Sequence, residues 1–280
     1  MKAIKPFLIL CVALYFATAC KKNEVDMTLV QKTVFENADI RQIEVSGAWQ
    51  VNVVADSGTF VELEYSAYLE PYLKAKMENS RIEIGFTGRV YPVGGSVFTA
   101  KVHTPHLNLI KATEASIVDF QGRLSSDHDT LNVIVKDASI CSGLHIGGKH
   151  NYLTIDNASK LIGCRINGTN NLLTLDNAAV CKGSFETNSV FHAVLERASN
   201  LVTLGGTAPH GKIVLRDGCL ANLFNTEIRE LNVVLSKASE ATVNATDSIT
   251  GSLTEASTLY YKGHPRIEVE CSDGSQLIPL

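Results

Sequence analysis

"LTIDNASKLIGCRINGTNNLLTLDNAAVCKG", residues 153–183, states one pattern twice: "TIDNAS" at 154–159 returns as "TLDNAA" at 174–179, 20 residues later. Followed outward in both directions, the small pair recurs as Ala115-Ser116, Ala138-Ser139, Ala158-Ser159, Ala178-Ala179, Ala198-Ser199, Gly218-Cys219, Ala238-Ser239, Ala256-Ser257 and Gly274-Ser275. The second members lie 23, 20, 20, 20, 20, 20, 18 and 18 residues apart. A period near 20 sustained this way marks a solenoid.

The residues around the pair say which solenoid. Four before the second member the column reads Ala112, Val135, Ile155, Leu175, Leu195, Leu215, Leu235, Leu253, Cys271. The columns six before and two after are apolar or small as well, with polar residues between them. A period of two is strand, not helix. Leucine-rich repeats share the length but need a Leu/Asn consensus that is absent here. The sequence therefore predicts an all-β chain: a parallel β-helix with coils of about 20 residues sharing one core. Nine coils at the strand spacing give a rod of roughly 40 Å. The small pair marks a turn between two faces.

This phase also reads the cysteines. Cys141 and Cys181 take inward places two coils apart, about 9–10 Å between Cα atoms and beyond disulfide reach. Cys219 replaces a marker serine and Cys271 takes an inward place, so the thiols read as small core residues. Two residues before each marker an outward column runs Glu114, Asp137, Asn157, Asn177, Arg197, Asp217, Lys237, Glu255, Asp273. Asn, Arg and Lys interrupt the acids, as a solvated turn ladder requires.

The first residues read as targeting. Lys2 and Lys5 precede the apolar run 7–19, too short for a mature membrane span, and "ATAC" places small residues before Cys20. That ending resembles a relaxed bacterial lipobox; an ordinary secretory signal is the alternative. Residues 1–19 are assigned as a lipoprotein signal peptide, with Cys20 as the lipidation site, and 20–32 as a polar tether. Residues 33–280 form one β-helix domain, with 33–105 as N-terminal coils and cap and 106–280 as regular repeats. "AYLEPYLKAKM" (67–77) reads as a break holding a short helical turn.

At the ends of the repeat the residues resemble a known family. "IEVSGAWQVNVV" (43–54), "ENSRIEIGF" (78–86), "KVHTPHLNLIKATEAS" (101–116) and the closing "ASTLYYKGHPRIEVECSDGSQLI" (256–278) are similar to the putative auto-transporter adhesin, head GIN domain family. The likeness spans roughly residues 35 to 278, and Tyr261, Gly263 and Pro265 carry its most specific piece. The family's marker is often Gly-Ala-Ser or Ser-Gly-Ser, whereas Asp, the neutral Asn or a charged residue mostly precedes the pair here. The resemblance implies a secreted lipoprotein of the Bacteroidetes, a right-handed parallel β-helix that is single-stranded and pectin-lyase-like, and adhesion.

Catalytic chemistry finds little support. The 280 residues carry a net charge of −4, without the clustered Lys and Arg that nucleic acid needs. The eight His show no HxxxH or HExxH spacing, so no metal is expected. No phosphate loop or nucleophile elbow occurs, and no cofactor is implied. Asp156 and Asp176 approach the spacing of a glycosidase pair, yet they belong to a turn pattern present in every coil. Thr130 and Ser248 follow Asp in the short Asp-Ser/Thr-apolar pattern of O-glycosylation. Tyr260 and Tyr261, with Tyr152 and Trp49, are candidates to stack on sugars. One of Tyr260 and Tyr261 must point outward.

The reading is a non-enzymatic, lipid-anchored protein of the cell envelope. It meets the membrane through its N-terminal lipid and presents the β-helix face to a polysaccharide or a surface protein. Lys21 and Lys22 follow Cys20 in place of the Asp that retains some lipoproteins at the inner membrane, which favours the outer membrane. A polysaccharide lyase or hydrolase and an end-to-end polymerising structural protein are the alternatives. Oligomeric state stays open.

Overall fold

Each small pair is a corner at which the chain enters the left-handed region twice in succession. Asp137 and Ala138 have φ of 57° and 60°, Asn157 and Ala158 54° and 57°, and the same holds from Glu114-Ala115 to Asp273-Gly274. The left-handed region costs an L residue about 1–2 kcal/mol, so the corners hold Ala, Asn, Asp and Gly, with Glu, Lys and Arg elsewhere and no β-branched residue. A backbone ladder holds the geometry. The N–H of the second corner residue donates to the carbonyl of the first corner residue one coil on, at 2.8–2.9 Å from Ala48 through to Ala256. In this computed structural model, which describes residues 25–126 and 129–280, about eight turns of parallel coils stack as a β-solenoid.

The marker serines form the single file the repeat predicts. Ser116, Ser139, Ser159, Ser199, Ser239 and Ser257 are all buried. The Ser139 and Ser159 hydroxyls accept the N–H groups of Ser116 and Ser139, at 3.1 and 3.2 Å. Ser239 and Ser257 donate in turn to the carbonyls three residues back, at 2.8 Å. A hydroxyl is thus wanted at the marker because the corner leaves both a donor and an acceptor inside. The three inward columns are buried as expected along the regular coils. The last coil departs from this. Cys271 is exposed, not inward and covered, because no described coil lies beyond it.

A further inward column escaped the sequence reading. Asn151 and Asn171 are buried eight residues before their markers. Asn151 Nδ2 donates to Asn171 Oδ1 at 2.7 Å, and Asn171 Nδ2 donates to Thr187 Oγ1 at 2.7 Å. Stacked amides satisfy one another where a lone buried amide would be costly.

The N-terminal part is not a simple run of early coils. Its strands are β1 (Leu29–Val34), β2 (Gln42–Val45), β3 (Gln50–Val54), β4 (Phe60–Ser66), β5 (Leu73–Glu78), β6 (Arg81–Phe86), β7 (Phe98–His103), β8 (Leu109–Ala112) and β9 (Ile117–Gln121). β2 pairs in parallel with both β6 and β8, and β3 with both β7 and β9. The coil of residues 42–54 therefore lies between the coil of 81–103 and that of 109–121, out of chain order. Beyond β7 the sheet turns antiparallel through β4 and then β1, while β5 covers β6. These added strands shield the parallel edges that an open solenoid end would expose.

Two expectations change here. The tether does not reach residue 32, because Leu29–Lys32 already belong to β1, where Val30 and Val34 lie opposite Tyr65 and Val61. Trp49 is no surface aromatic. It takes the marker place of the 42–54 coil, buried, with ring centroids 5.6 Å from Phe86 and 6.1 Å from Phe98. The expected helical turn exists as a 3-10 helix, Ala67–Tyr72.

Candidate functional face

Parallel stacking turns single outward residues into long rows. One row begins at Thr33 on β1 and passes Glu62, Lys101, Asn52 and Asp119 across the cap. It continues through Ser142, Ile162, Lys182, Val202, Asn222, Thr242 and Tyr260 to Ile278. Thirteen strands at the sheet spacing make this face about 58 Å long. Strands from both the irregular and the regular parts build it without a break.

At the cap end the face is hollowed into a groove of about 720 Å³. Gln31, Thr33, Gln50, Asn52, Thr99 and Gln121 line it with amides and hydroxyls, and Glu62, Glu64, Asp119, Lys32 and Lys101 add charge. Lys101 lies 3.8 Å from Glu62. Asn52 Oδ1, beneath the groove floor, is a buried acceptor without a protein partner. At the groove's edge His103 is stacked on Phe60 with centroids 4.1 Å apart. His103 Nδ1 is 2.6 Å from Asp56 Oδ2, and its Nε2 is 3.6 Å from Glu62. The His103 hydrogen bond holds the Asp56 carboxyl below its usual range.

Farther along, the face turns partly apolar. Leu204 and Phe224, two residues on from Val202 and Asn222, are exposed, and Lys262 Nζ sits 4.7 Å from the Phe224 ring centroid. Tyr260 points outward in the row, whereas Tyr261 packs against the core. Only the first of the two aromatics expected to meet sugar is therefore on this face. Tyr152 is exposed, but in the row of Asn132 and Leu172 on the neighbouring face. That face is tied by ion pairs at its cap end, Lys111–Glu44 at 3.0 Å and Arg81–Glu44 at 3.3 Å.

The corner carboxylates are occupied. Asp156 Oδ1 accepts the Asn157 N–H at 2.8 Å and Asn177 Nδ2 at 2.9 Å. Asp176 takes the Asn177 N–H and the Arg197 guanidinium. Asp137 accepts Asn157 Nδ2 at 2.9 Å. They satisfy the turns, which is what their repetition suggests. Among the described residues no three His, Cys, Asp or Glu come together as a metal site. Thr130 opens a strand opposite His150, and Ser248 lies between Glu230 and Arg266; both are half-buried. Cys20 and the segment 1–19 lie outside the described residues. Among the described residues no helix is long and apolar enough to cross a membrane.

A solenoid with a continuous exterior and a polar groove at one end defines a class by its architecture: parallel β-solenoids with an extended outer face. The chain belongs to the putative auto-transporter adhesin, head GIN domain family, whose profile matches residues 39–265. Its structure is similar to that of a putative adhesin from Parabacteroides merdae, at 15% identity and TM-score 0.64, covering 91% of this chain and 98% of that one. A putative adhesin from Parabacteroides distasonis aligns at 16% identity and TM-score 0.57, covering 91% and 98%. A protein of the same organism described as a putative lipid binding protein aligns at 12% identity and TM-score 0.59, covering 90% and 97%. At these identities the likeness concerns the fold. No curated protein matches the chain.

Proposed function

We propose that this chain is a non-enzymatic adhesin of the cell envelope, anchored in the outer membrane through lipid on Cys20. It binds a polysaccharide or a surface protein laid along the thirteen-strand face. The observation that supports this most is the unbroken outward row from Thr33 to Ile278, with a polar groove at one end and Phe224 and Tyr260 toward the other. Amides and hydroxyls in the groove suit the hydroxyls of a sugar chain, and the exposed Phe224 and half-buried, outward Tyr260 suit its apolar ring faces. Affinity on such a face is spread over many weak contacts, as in multivalent binding. The envelope location agrees with an adhesin family. Thr130 and Ser248 remain candidate acceptors of O-linked sugar, which an intact mass of protein from the native host measures.

The test is a glycan array combined with a pull-down from the native envelope. The proposal expects capture of an extended glycan or a surface protein without any shortened product. Replacing Gln50 and Asn52 together by Ala should weaken capture, while Asp176→Asn should leave it unchanged. Release of product, lost on replacing Asp156 or Asp176, would show an enzyme instead.

A further inference from the structure

The N-terminal end of the stack carries a second surface of different character. Twelve large apolar side chains are exposed among the described residues, and five belong to this end: Met27, Leu29, Tyr72, Tyr91 and Val93. Tyr91 is the most exposed of the twelve, at 80%. It stands in the loop between β6 and β7, beside Pro92. Backbone bonds hold that loop and the incoming chain against the 3-10 helix. Val93 N–H donates to Tyr68 Oη at 2.9 Å, Ala67 N–H to the Thr28 carbonyl at 2.8 Å, and Tyr68 N–H to the Asp26 carbonyl at 3.1 Å. The nearby acids are already engaged: Glu70 pairs with Lys32, and Asp26 accepts the Thr28 N–H. A group of exposed apolar and aromatic side chains thus lies at this end; Lys32 offsets the charge of Glu70, while Asp26 stays ionised, its carboxyl held below the usual range by Thr28.

Chain length says what this patch meets. Val25 follows Cys20 by five residues, which span at most about 18 Å fully extended. Lipid on Cys20 would therefore keep this end within about 18 Å of the bilayer surface, while the far end of the 58 Å face is free to lie on it or stand away from it. We infer that the patch seats the N-terminal cap on the lipid headgroup layer and fixes the rod's direction. The inference rests on the lipid-anchor reading. Tyr72 and Tyr91 are suited to the interface, where amphipathic rings settle. Met27, Leu29 and Val93 can enter the acyl boundary, as the apolar side of a surface-bound element does. Lys21 and Lys22, between anchor and patch, favour anionic headgroups. The acyl chains give attachment, the patch gives orientation, and the C-terminal coils point away from the membrane.

The experiment uses the full chain, purified from bacterial membranes and placed in vesicles of phosphatidylethanolamine and phosphatidylglycerol. Intact mass first reports whether Cys20 carries lipid. Tyr91→Trp and Tyr260→Trp are then compared in vesicles with shallow brominated lipids, the buried Trp49 serving as a constant background. The expected result is at least twofold quenching of the tryptophan at position 91, and none at position 260. Lipidated protein with equal or no quenching at the two positions overturns the seating and leaves the anchor standing. An unmodified Cys20 overturns the anchor. Quenching at position 91 in that unmodified protein then still supports the seat, and its absence refutes it.

Discussion

Gly206 and Gly218 share a left-handed φ, 134° and 70°, and should respond very differently to the same methyl group. A Cβ built on Gly206 lies 1.9 Å from the carbonyl oxygen of Phe185, its partner one coil earlier, about 1.5 Å short of ordinary contact. Relief requires opening a coil spacing of about 4.8 Å by nearly a third at that point. Stretching hydrogen bonds there costs about 1–3 kcal/mol for each group left unsatisfied, and the backbone conformation adds about 1–3 kcal/mol. Gly206→Ala should therefore destabilise by about 2–6 kcal/mol, or roughly 4–24 °C in Tm at this size. At Gly218 nothing lies within 4 Å of the added methyl, and other coils carry Ala at this place. The left-handed penalty of about 1–2 kcal/mol is partly offset by about 0.5–1 kcal/mol of backbone entropy, leaving about 0.5–1 kcal/mol. Thermal and urea unfolding followed by circular dichroism measures both. Equal losses, or a Gly206→Ala protein as stable as the parent, would refute the stacked contact on which the reasoning rests.

The buried amide pair should behave as a unit. Asn171→Leu removes the shortest of Asn151's hydrogen bonds, leaving the Asn167 carbonyl at 3.1 Å, and takes the donor from Thr187; it should cost about 1–3 kcal/mol, whereas the double change with Asn151→Leu should cost less than the sum of the singles; urea midpoints decide. Acid should weaken the fold in two stages. Burial pushes His145 and His192 below their ordinary 6.5. Asp39 is held below its usual range by Arg41, Glu83 by Lys74 and Asp247 by Arg229. The folded state then binds fewer protons than the unfolded one, so stability is full near neutrality, declines slightly below 6.5, and declines further below 4.5. A urea midpoint that rises on acidification contradicts this. Thiol chemistry should separate the cysteines: burial raises Cys141, and the neighbouring Cys164 thiol together with burial raises Cys181. Brief iodoacetamide treatment followed by peptide mass analysis should find Cys271 modified while Cys141, Cys164, Cys181 and Cys219 wait for denaturant.

Much of this was readable because the coil repeats itself. Ser139, Ser159 and Leu175 recur at fixed distances, so the core columns and the corner stood out from a single chain. The left-handed pairs did not, since Glu114, Arg197 and Lys237 are not residues that signal such a turn. Asn151 and Asn171 fill two places in a column whose other members are Asn108, Leu131, Phe191, Gly211, Leu231, Ile249 and Ile267, too mixed to mark out a ladder of amides. The order of the first coils was hidden for another reason. β2 touches strands about 40 and 65 residues away, and nothing local in "IEVSGAWQVNVV" says that two partners flank it. The groove is a product of that arrangement. Gln31, Asn52, Glu62, Lys101 and Asp119 come from five strands and carry no motif, so only pairing reveals them as neighbours. Strand parity alone, by contrast, said that one of Tyr260 and Tyr261 points outward, and the pairing shows it to be Tyr260.

The claim beneath all of this is that successive windings lie in register, one strand spacing apart. Spin labels at positions 111 and 252, and separately at 134 and 252, measure it directly in a Cys20→Ala, Cys271→Ser chain. Lys111 and Ser252 are seven paired strands apart, and Ile134 and Ser252 six. Pulsed dipolar spectroscopy should return about 34 Å and about 29 Å, a difference of one strand spacing. Distances that do not differ by that spacing, or that place position 134 farther from 252 than position 111, would contradict the stack and the binding face built on it.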